Sequence, residues 1–302
     1  WIEKSFNIYL NKIFKTTGID YVIASDTDSV YVTFESLVAD KFESGEETGE
    51  IVNFLDTFAK EKLEPFIDES YRALAKRMKA YDQKMQMSRE AIASTGIWTA
   101  KKRYILNVWD MEGVRFKEPY LKIMGIEAVK SSTPAPCREK IKQALKIIIN
   151  GDEKELNAFI KDFRDEFMNL PPEDIAYPRS CNGVKKFSGE SQLFAKGAPI
   201  HVKGAILYNH LVNKQKLGNK YPLIQEGDKI RFLHLRQPNV FQSSAFSFMT
   251  EVPKELDITG KIDYDMQYEK SFVEPLKVIT EKMNWLIDSS YGVQGTLEDF
   301  FG

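Results

Sequence analysis

Asp26, Thr27, Asp28 and Ser29 form an acidic tetrapeptide between two apolar runs, Tyr21-Val22-Ile23-Ala24 and Val30-Tyr31-Val32. The pattern predicts strand, tight turn, strand, because short Asp and Ser side chains bond to nearby backbone and favour reversal. Two carboxylates spaced by two on an extended backbone point to the same side. A pair held in this way suits a hard divalent cation such as Mg²⁺, which takes one or two protein carboxylates and fills its shell from water and phosphate. The chemistry so served is phosphoryl transfer. A solvated acidic turn with no ligand is the other reading, and the tetrapeptide alone does not choose between them.

Three further groups carry chemistry. Lys101-Lys102-Arg103-Tyr104 opens a predicted strand, with Lys101 and Arg103 on one face and Lys102 and Tyr104 on the other. Three successive cations repel one another unless an anion or solvent screens them. Contact with successive phosphates, which position without specifying sequence, and a merely exposed strand start both remain open. In Met87-Ser88-Arg89-Glu90-Ala91-Ile92, a strand would put Ser88 and Glu90 on one face. Glu90 then either lies near the hairpin acids or pairs with Arg89 or Lys84. Near the end, Gln294, Leu297, Phe300 and Phe301 follow the spacing Q-x-x-L-x-x-F-F among Gly292, Gly295 and Gly302. Leaving the two phenylalanines in water costs roughly 1.5–3 kcal/mol each, so the tail either packs back on the body or enters a partner's pocket. That spacing resembles a sliding-clamp interaction peptide.

The elements that must position these groups follow from periodicity. Ile2, Phe6, Tyr9, Leu10 and Ile13 predict a helix over 2–15. Residues 36–49 form a polar connection, and Ile51, Phe54, Leu55 and Phe58 begin a helical stripe that continues to about residue 79. Strands are predicted over 84–93, 101–110 and 121–129, with a turn at Met111-Glu112-Gly113. At Thr133-Pro134 the pattern becomes helical, with Thr133 as cap and Pro134 in the first turn. Leu156, Phe159, Ile160, Phe163 and Phe167 mark a second stripe after Gly151-Asp152. Residues 170–199 read as irregular. A helix over 205–216, short strands around 229–235 and a helix over 267–286, kinked or divided at Pro275, complete the body.

With 302 residues and 43% hydrophobic content, the chain has core material for one large domain or two ordinary ones. No apolar run approaches the roughly 20 residues that span a bilayer, and no secretory signal is visible, so no membrane partner is expected. Cys137 and Cys181 make no disulfide framework, which points to a reducing cytoplasm. His201, His210 and His234 lack zinc-ligand spacing. The charge is uneven along the chain: residues 35–69 hold 11 acidic and 3 basic side chains, and residues 70–130 hold 13 basic and 6 acidic. A basic block beside a metal-site candidate is the footprint expected for a polyanion, although such blocks are also ordinary solvated faces.

Taken in order, these pieces resemble a family B DNA polymerase of the replicative type found in T-even-like bacteriophages. Ser25-Asp26-Thr27-Asp28-Ser29 is similar to the family's third palm motif, with Ser25 where Gly is usual. Arg89-Glu90-Ala91-Ile92 and Lys101-Lys102-Arg103-Tyr104 resemble the palm strands that follow, with Ser88 where the phage enzymes have an acid. Residues 121–127 with Ser131-Ser132-Thr133-Pro134 resemble the junction into the thumb, and residues 297–302 resemble the clamp-binding tip. No S-L-Y-P-S segment or K-x-x-x-N-S-x-Y-G helix is present, and no exonuclease D-x-E is recognisable. The chain begins at Trp1 rather than Met, and with these gaps it is expected to be a fragment, a processed product or a trimmed chain.

The resemblance implies an α+β fold. Residues 1–129 would be the C-terminal part of a palm with an antiparallel sheet and packed helices. Residues 130–290 would form a mostly helical thumb, and residues 291–302 a clamp-binding tail. It implies catalysis with two Mg²⁺ ions about 3.5–4 Å apart. Asp28 would be a direct metal ligand, Asp26 a weaker or indirect one, and Glu90 an accessory acid. Lys101, Lys102, Arg103, Tyr104, Lys130, Ser131, Ser132, His201 and Lys203 would contact DNA. Gln294, Leu297, Phe300 and Phe301 would engage a sliding clamp. The implied partners are primer-template DNA, deoxynucleoside triphosphates, the clamp and an N-terminal polymerase part on the same or a separate chain. The implied location is the cytoplasm of an infected bacterium.

Overall fold

The computed structural model describes residues 1–42, 48–189 and 193–287. The chain divides into two compact units, Trp1–Lys122 and Ile123–Gly302. Helices and antiparallel strands are mixed, as an α+β chain requires.

The first unit opens with α1 (Ile2–Phe14), whose Phe6 and Leu10 are buried. Strands β1 (Val22–Asp26) and β2 (Ser29–Val32) form an antiparallel hairpin with Asp26 opposite Ser29. A bulge lies between Val22 and Ala24, and Ile23 there is exposed. The expected polar connection is in part a short helix, α2 (Glu35–Lys41). Next, α3 (Thr48–Phe58) runs through a π-helical turn, Ala59–Leu63, into α4 (Glu64–Arg77). Pro65 explains that turn. Proline lacks the N–H that would bond to residue 61, and its ring clashes with that carbonyl, so the helix widens locally instead of breaking. The core packs Phe6 and Leu10 against Tyr21, Val22, Leu63, Ile67 and Tyr71, and so seats the hairpin on the helices.

Three longer strands follow: β3 (Ala91–Ala100), β4 (Arg103–Met111) and β5 (Val114–Met124). They stand in the order β3-β4-β5. The first and third lie several residues away from the predicted positions. Residues 82–90 form neither helix nor strand, and residues 127–129 form a single 3₁₀ turn. The turn predicted at 111–113 is present: Glu112 and Gly113 take φ of 52° and 88°, the left-handed pair that a two-residue hairpin loop needs.

The second unit contains α5 (Ala135–Asn150) and α6 (Glu153–Phe167). Thr133 does not cap α5; the cap position is Pro134, no side chain caps it, and Pro136 sits in the first turn. Asp152 does cap α6, accepting the Glu155 N–H at 2.8 Å. The span read as irregular holds short elements: α7 (Pro172–Ile175), β6 (Tyr177–Ser180) and α8 (Val184–Phe187). Then come α9 (Ile200–Lys214), β7 (Lys229–His234) and β8 (Ala245–Phe248), with sheet order β6-β7-β8. The last helix, expected to kink or divide at Pro275, runs on without a break and widens locally, as at Pro65. α10 (Tyr264–Tyr268) passes through a second π-helical turn, Glu269–Val273, into α11 (Glu274–Thr280), which carries Pro275 in its first turn. Aromatic edges close this core: Phe163 and Phe272 have ring centroids 4.7 Å apart, and Phe167 and Tyr268 5.2 Å.

Candidate active site

The acidic hairpin is anchored from α1. Asn7 Oδ1 accepts the Tyr21 N–H at 2.8 Å, and Asn7 Nδ2 donates to Asp20 Oδ1 at 2.6 Å. At the tip, Thr27 takes φ of 51°. Asp26 closes β1 while Asp28 lies in the turn itself, so strand alternation does not govern the pair. Thr27 Oγ1 donates to Asp26 Oδ1 at 3.1 Å, and Ser29 Oγ donates to the Asp26 carbonyl at 3.1 Å. Ser25, where the palm motif usually has Gly, is exposed and donates to Glu3 Oε2 at 3.3 Å.

Asp28 lines an open cleft of about 700 Å³ together with Lys60, Glu64, Gln86, Met87, Ser88, Arg89, Glu90, Glu112 and Gly113. Two sequence-predicted acids, Asp28 and Glu90, therefore share one space. Glu90 pairs with neither Arg89 nor Lys84. It takes Lys122 Nζ at 2.6 Å, across from β5. The negative field of this region acts on two phenols, the buried Tyr71 and the half-buried Tyr104. Burial and then the Asp28 carboxylate raise the Tyr71 pKa, while burial, a hydrogen bond with Tyr31, and then Glu90 and Asp26 raise that of Tyr104.

The basic tetrapeptide does not open a strand as one piece. Ala100 pairs with Arg103, so Lys101 and Lys102 form the β3–β4 turn, with Lys102 at φ 60°. Only Arg103 and Tyr104 belong to β4, and the predicted alternation of all four residues fails for that reason. The turn still meets the hairpin: Lys102 Nζ lies 3.9 Å from Asp26 Oδ2. Tyr31 of β2 packs on Tyr104 and Trp98 at 5.5 and 5.2 Å, joining the two hairpins through their rings.

Sequence reasoning missed Lys60, Glu64 and Glu112 in the cleft. Lys60 and Glu64 were visible as an i, i+4 pair on a predicted helix, but nothing local aimed them there. A Mg²⁺ ion held jointly by protein and phosphate oxygens needs only one or two carboxylates, and Asp26 and Asp28 fit that donor chemistry. Among the described residues no group of three His, Cys, Asp or Glu side chains is placed to hold a metal.

In the second unit the predicted DNA contacts fall in two places. Lys130 Nζ is paired with Glu127 Oε1 at 2.8 Å, and Ser131 is exposed. The Ser132 carbonyl accepts from Arg179 Nη1 at 2.7 Å. Arg179 lies over the rings of Tyr177 and Phe232. His201, in the first turn of α9, is half-buried with its ring 6.3 Å from Phe232, and burial followed by the Arg179 charge lowers its pKa. Lys203 is half-buried on the same helix. Gln294, Leu297, Phe300 and Phe301 lie outside the described residues. Among the described residues no helix is long and apolar enough to cross a membrane.

No protein-family model matches the chain. It is 35% identical over 318 residues to the DNA-directed DNA polymerase of Enterobacteria phage T4, an alignment that takes in 100% of this chain and 34% of that polymerase. It is 37% identical over 295 residues to the DNA-directed DNA polymerase of Escherichia phage RB69, covering 93% of this chain and 32% of that one. The chain thus spans about a third of the length of the curated relatives it matches.

Proposed function

We propose that this chain, related along its whole length to the T4-like bacteriophage DNA polymerases, works as the palm and thumb portion of a family B DNA-directed DNA polymerase. The observation that carries the reading is the meeting of Asp28 and Glu90 in one cleft, beside a hairpin whose Asp26 faces the basic turn at Lys102. Residues 1–129 would then be palm, 130–290 thumb and 291–302 the clamp-binding tail.

Asp28, with Asp26 as the weaker partner, would hold Mg²⁺ in a two-ion site. When bound, such ions neutralise charge on the transferring phosphoryl group. The chain's own residues position the substrates. Lys101, Lys102, Arg103 and Tyr104 hold the primer-template by its backbone, and Lys130, Ser131, Ser132, His201 and Lys203 hold the duplex beyond it. Glu90 supplies accessory negative charge across the cleft from Asp28. Gln294, Leu297, Phe300 and Phe301 tether the enzyme to a sliding clamp, which raises its effective concentration at the primer end.

The relatives are about three times as long, and the missing motifs include the second metal-ligand aspartate and the nucleotide-binding helix. Extension of a primer with deoxynucleoside triphosphates therefore requires the polypeptide that corresponds to the rest of the polymerase, on this chain or another. Primer extension by the 302 residues alone would overturn that requirement. In the complete enzyme, Asp28→Ala should abolish extension and leave DNA binding nearly unchanged. A second reading is a non-catalytic DNA- and clamp-binding module in which the acidic hairpin is only a turn, as its own bonds from Thr27 and Ser29 to Asp26 would suit. Extension that survives Asp28→Ala would favour it.

A further inference from the structure

The cleft wall that carries Glu90 is fixed by a set of charges with no part in the chemistry above. Ser88, Arg89 and Glu90 belong to no helix or strand. Such a segment has few ladder bonds to hold it. The Glu90 carbonyl accepts the Glu112 N–H at 2.6 Å and the Glu90 carboxylate takes Lys122, and Arg89 with its surroundings adds the bonds that hold the residues before it. Arg89 Nη2 lies 2.6 Å from Asp56 Oδ1 on α3. Its Nη1 donates to Asp110 Oδ1 on β4, and its backbone N–H donates to Glu64 Oε1 on α4 at 2.9 Å. Asp110 also accepts from Arg115 Nε at 3.1 Å and from the Gly113 N–H at 3.0 Å. Arg115 Nη1 in turn donates to Asn53 Oδ1 on α3 at 3.0 Å.

One helix, α3, and one strand, β4, meet at the Arg89 guanidinium, while α4 holds the Arg89 backbone N–H and Arg115 of β5 braces Asp110. The side chains of Arg89 and Asp110 are only 10% and 2% exposed, so solvent cannot replace a lost partner. A planar guanidinium reaches two carboxylates in fixed directions at once, which an ammonium does not. Ser88 and Glu90, the chain neighbours of Arg89, line the cleft with Asp28.

We propose that Arg89 is a positioning residue: by bridging Asp56 and Asp110 it fixes the irregular segment 88–90, so that Glu90 is presented to the cleft that holds Asp28. The role of Glu90 rests on the polymerase reading; the clamp itself does not. Arg89 lines the same cleft, but its two Nη groups are taken by Asp56 and Asp110, so it acts through Glu90.

Amide hydrogen exchange of the 302-residue chain tests the clamp directly. Arg89→Lys and Arg89→Met should each speed exchange over residues 86–92 by about tenfold or more, while α6 and α9 keep their rates. Unchanged exchange over 86–92 overturns the clamp, and Arg89→Lys carries this comparison alone if Arg89→Met does not fold. The functional arm is a cycle of Arg89→Lys, Glu90→Gln and the double variant in primer extension by the complete polymerase. Arg89→Lys should lower kcat about tenfold with KM for primer-template unchanged, and should add nothing to Glu90→Gln. Full rescue by lysine, or additive losses, overturns action through Glu90. Asp28→Ala separates the two failures: if extension survives it, the polymerase reading falls and hydrogen exchange still decides the clamp.

Discussion

Lys102 Nζ stands 3.9 Å from Asp26 Oδ2, so the basic turn between β3 and β4 faces the acidic tip of the β1–β2 hairpin. The lysine side chain is 66% exposed and the pair is long, which limits its worth to about 0–1 kcal/mol. Lys102→Ala should therefore leave the melting temperature almost unchanged. If Lys102 also meets a phosphate, the same variant weakens primer-template binding and flattens the slope of log affinity against log salt by about one. Salt titrations of binding beside a thermal melt check both halves.

Acid should weaken the first unit through Asp110. Burial pushes this carboxyl up, but bonds from Arg89, Arg115 and the Gly113 N–H outweigh burial and hold its pKa below the ordinary range. A depressed carboxylate contributes stability that is complete above its unfolded pKa, about 3.9, and lost as pH falls through the folded value. The expected result is an acid limb in stability below about pH 4. Asp110→Asn should reduce that limb and lower stability at neutral pH, because Arg89 and Arg115 lose a charged partner. Denaturant melts from neutral pH to acid measure it.

Gly204 is required by packing. A Cβ there would lie 2.4 Å from Ser247 Oγ and 2.7 Å from the Ser247 backbone nitrogen, where α9 crosses β8. The backbone cannot yield as a flexible side chain would. Gly204→Ala should destabilise the second unit by about 1–3 kcal/mol despite the better helix propensity of alanine. Calorimetry would show a lower transition, and an unchanged one would contradict this close approach.

His201 should be neutral at neutral pH. Burial and then Arg179 lower its pKa, so its imidazole titrates below the ordinary value of about 6.5. A lowered histidine favours protons in the unfolded state, so its contribution to stability is present above the unfolded pKa and lost as pH falls. An NMR titration should place the midpoint below that value, and Arg179→Met should move it up. Any contact of His201 with DNA at neutral pH is then a hydrogen bond rather than an ion pair.

Local patterns reached far into this fold because they report on nearest neighbours. Phe6 and Leu10 identified the buried face of α1, the run Asp26–Ser29 identified a hairpin, and Glu112-Gly113 identified a turn. Pro275 marked where the last helix is perturbed, widening it instead of dividing it, since a missing N–H is a property of the residue itself. Strand limits were less legible. Residues 84–90 alternate as a strand would, yet they find no ladder, and Lys101-Lys102 turns because β3 and β4 pair with Ala100 opposite Arg103.

By itself, then, the sequence determined which side chains carry charge and carboxylate oxygens, where many of the helices and hairpins form, and the likeness to phage polymerases that the T4 and RB69 matches support. Only the tertiary structure decided their company. It put Asp28 and Glu90 in one cleft, gave Glu90 to Lys122 instead of Arg89, and turned Arg89 to Asp56 and Asp110. Those partners stand 32, 33 and 21 residues apart in the chain. Periodicity is set by the backbone over a few residues, whereas a long-range ion pair exists only after sheets and helices have packed, and no local rule encodes that.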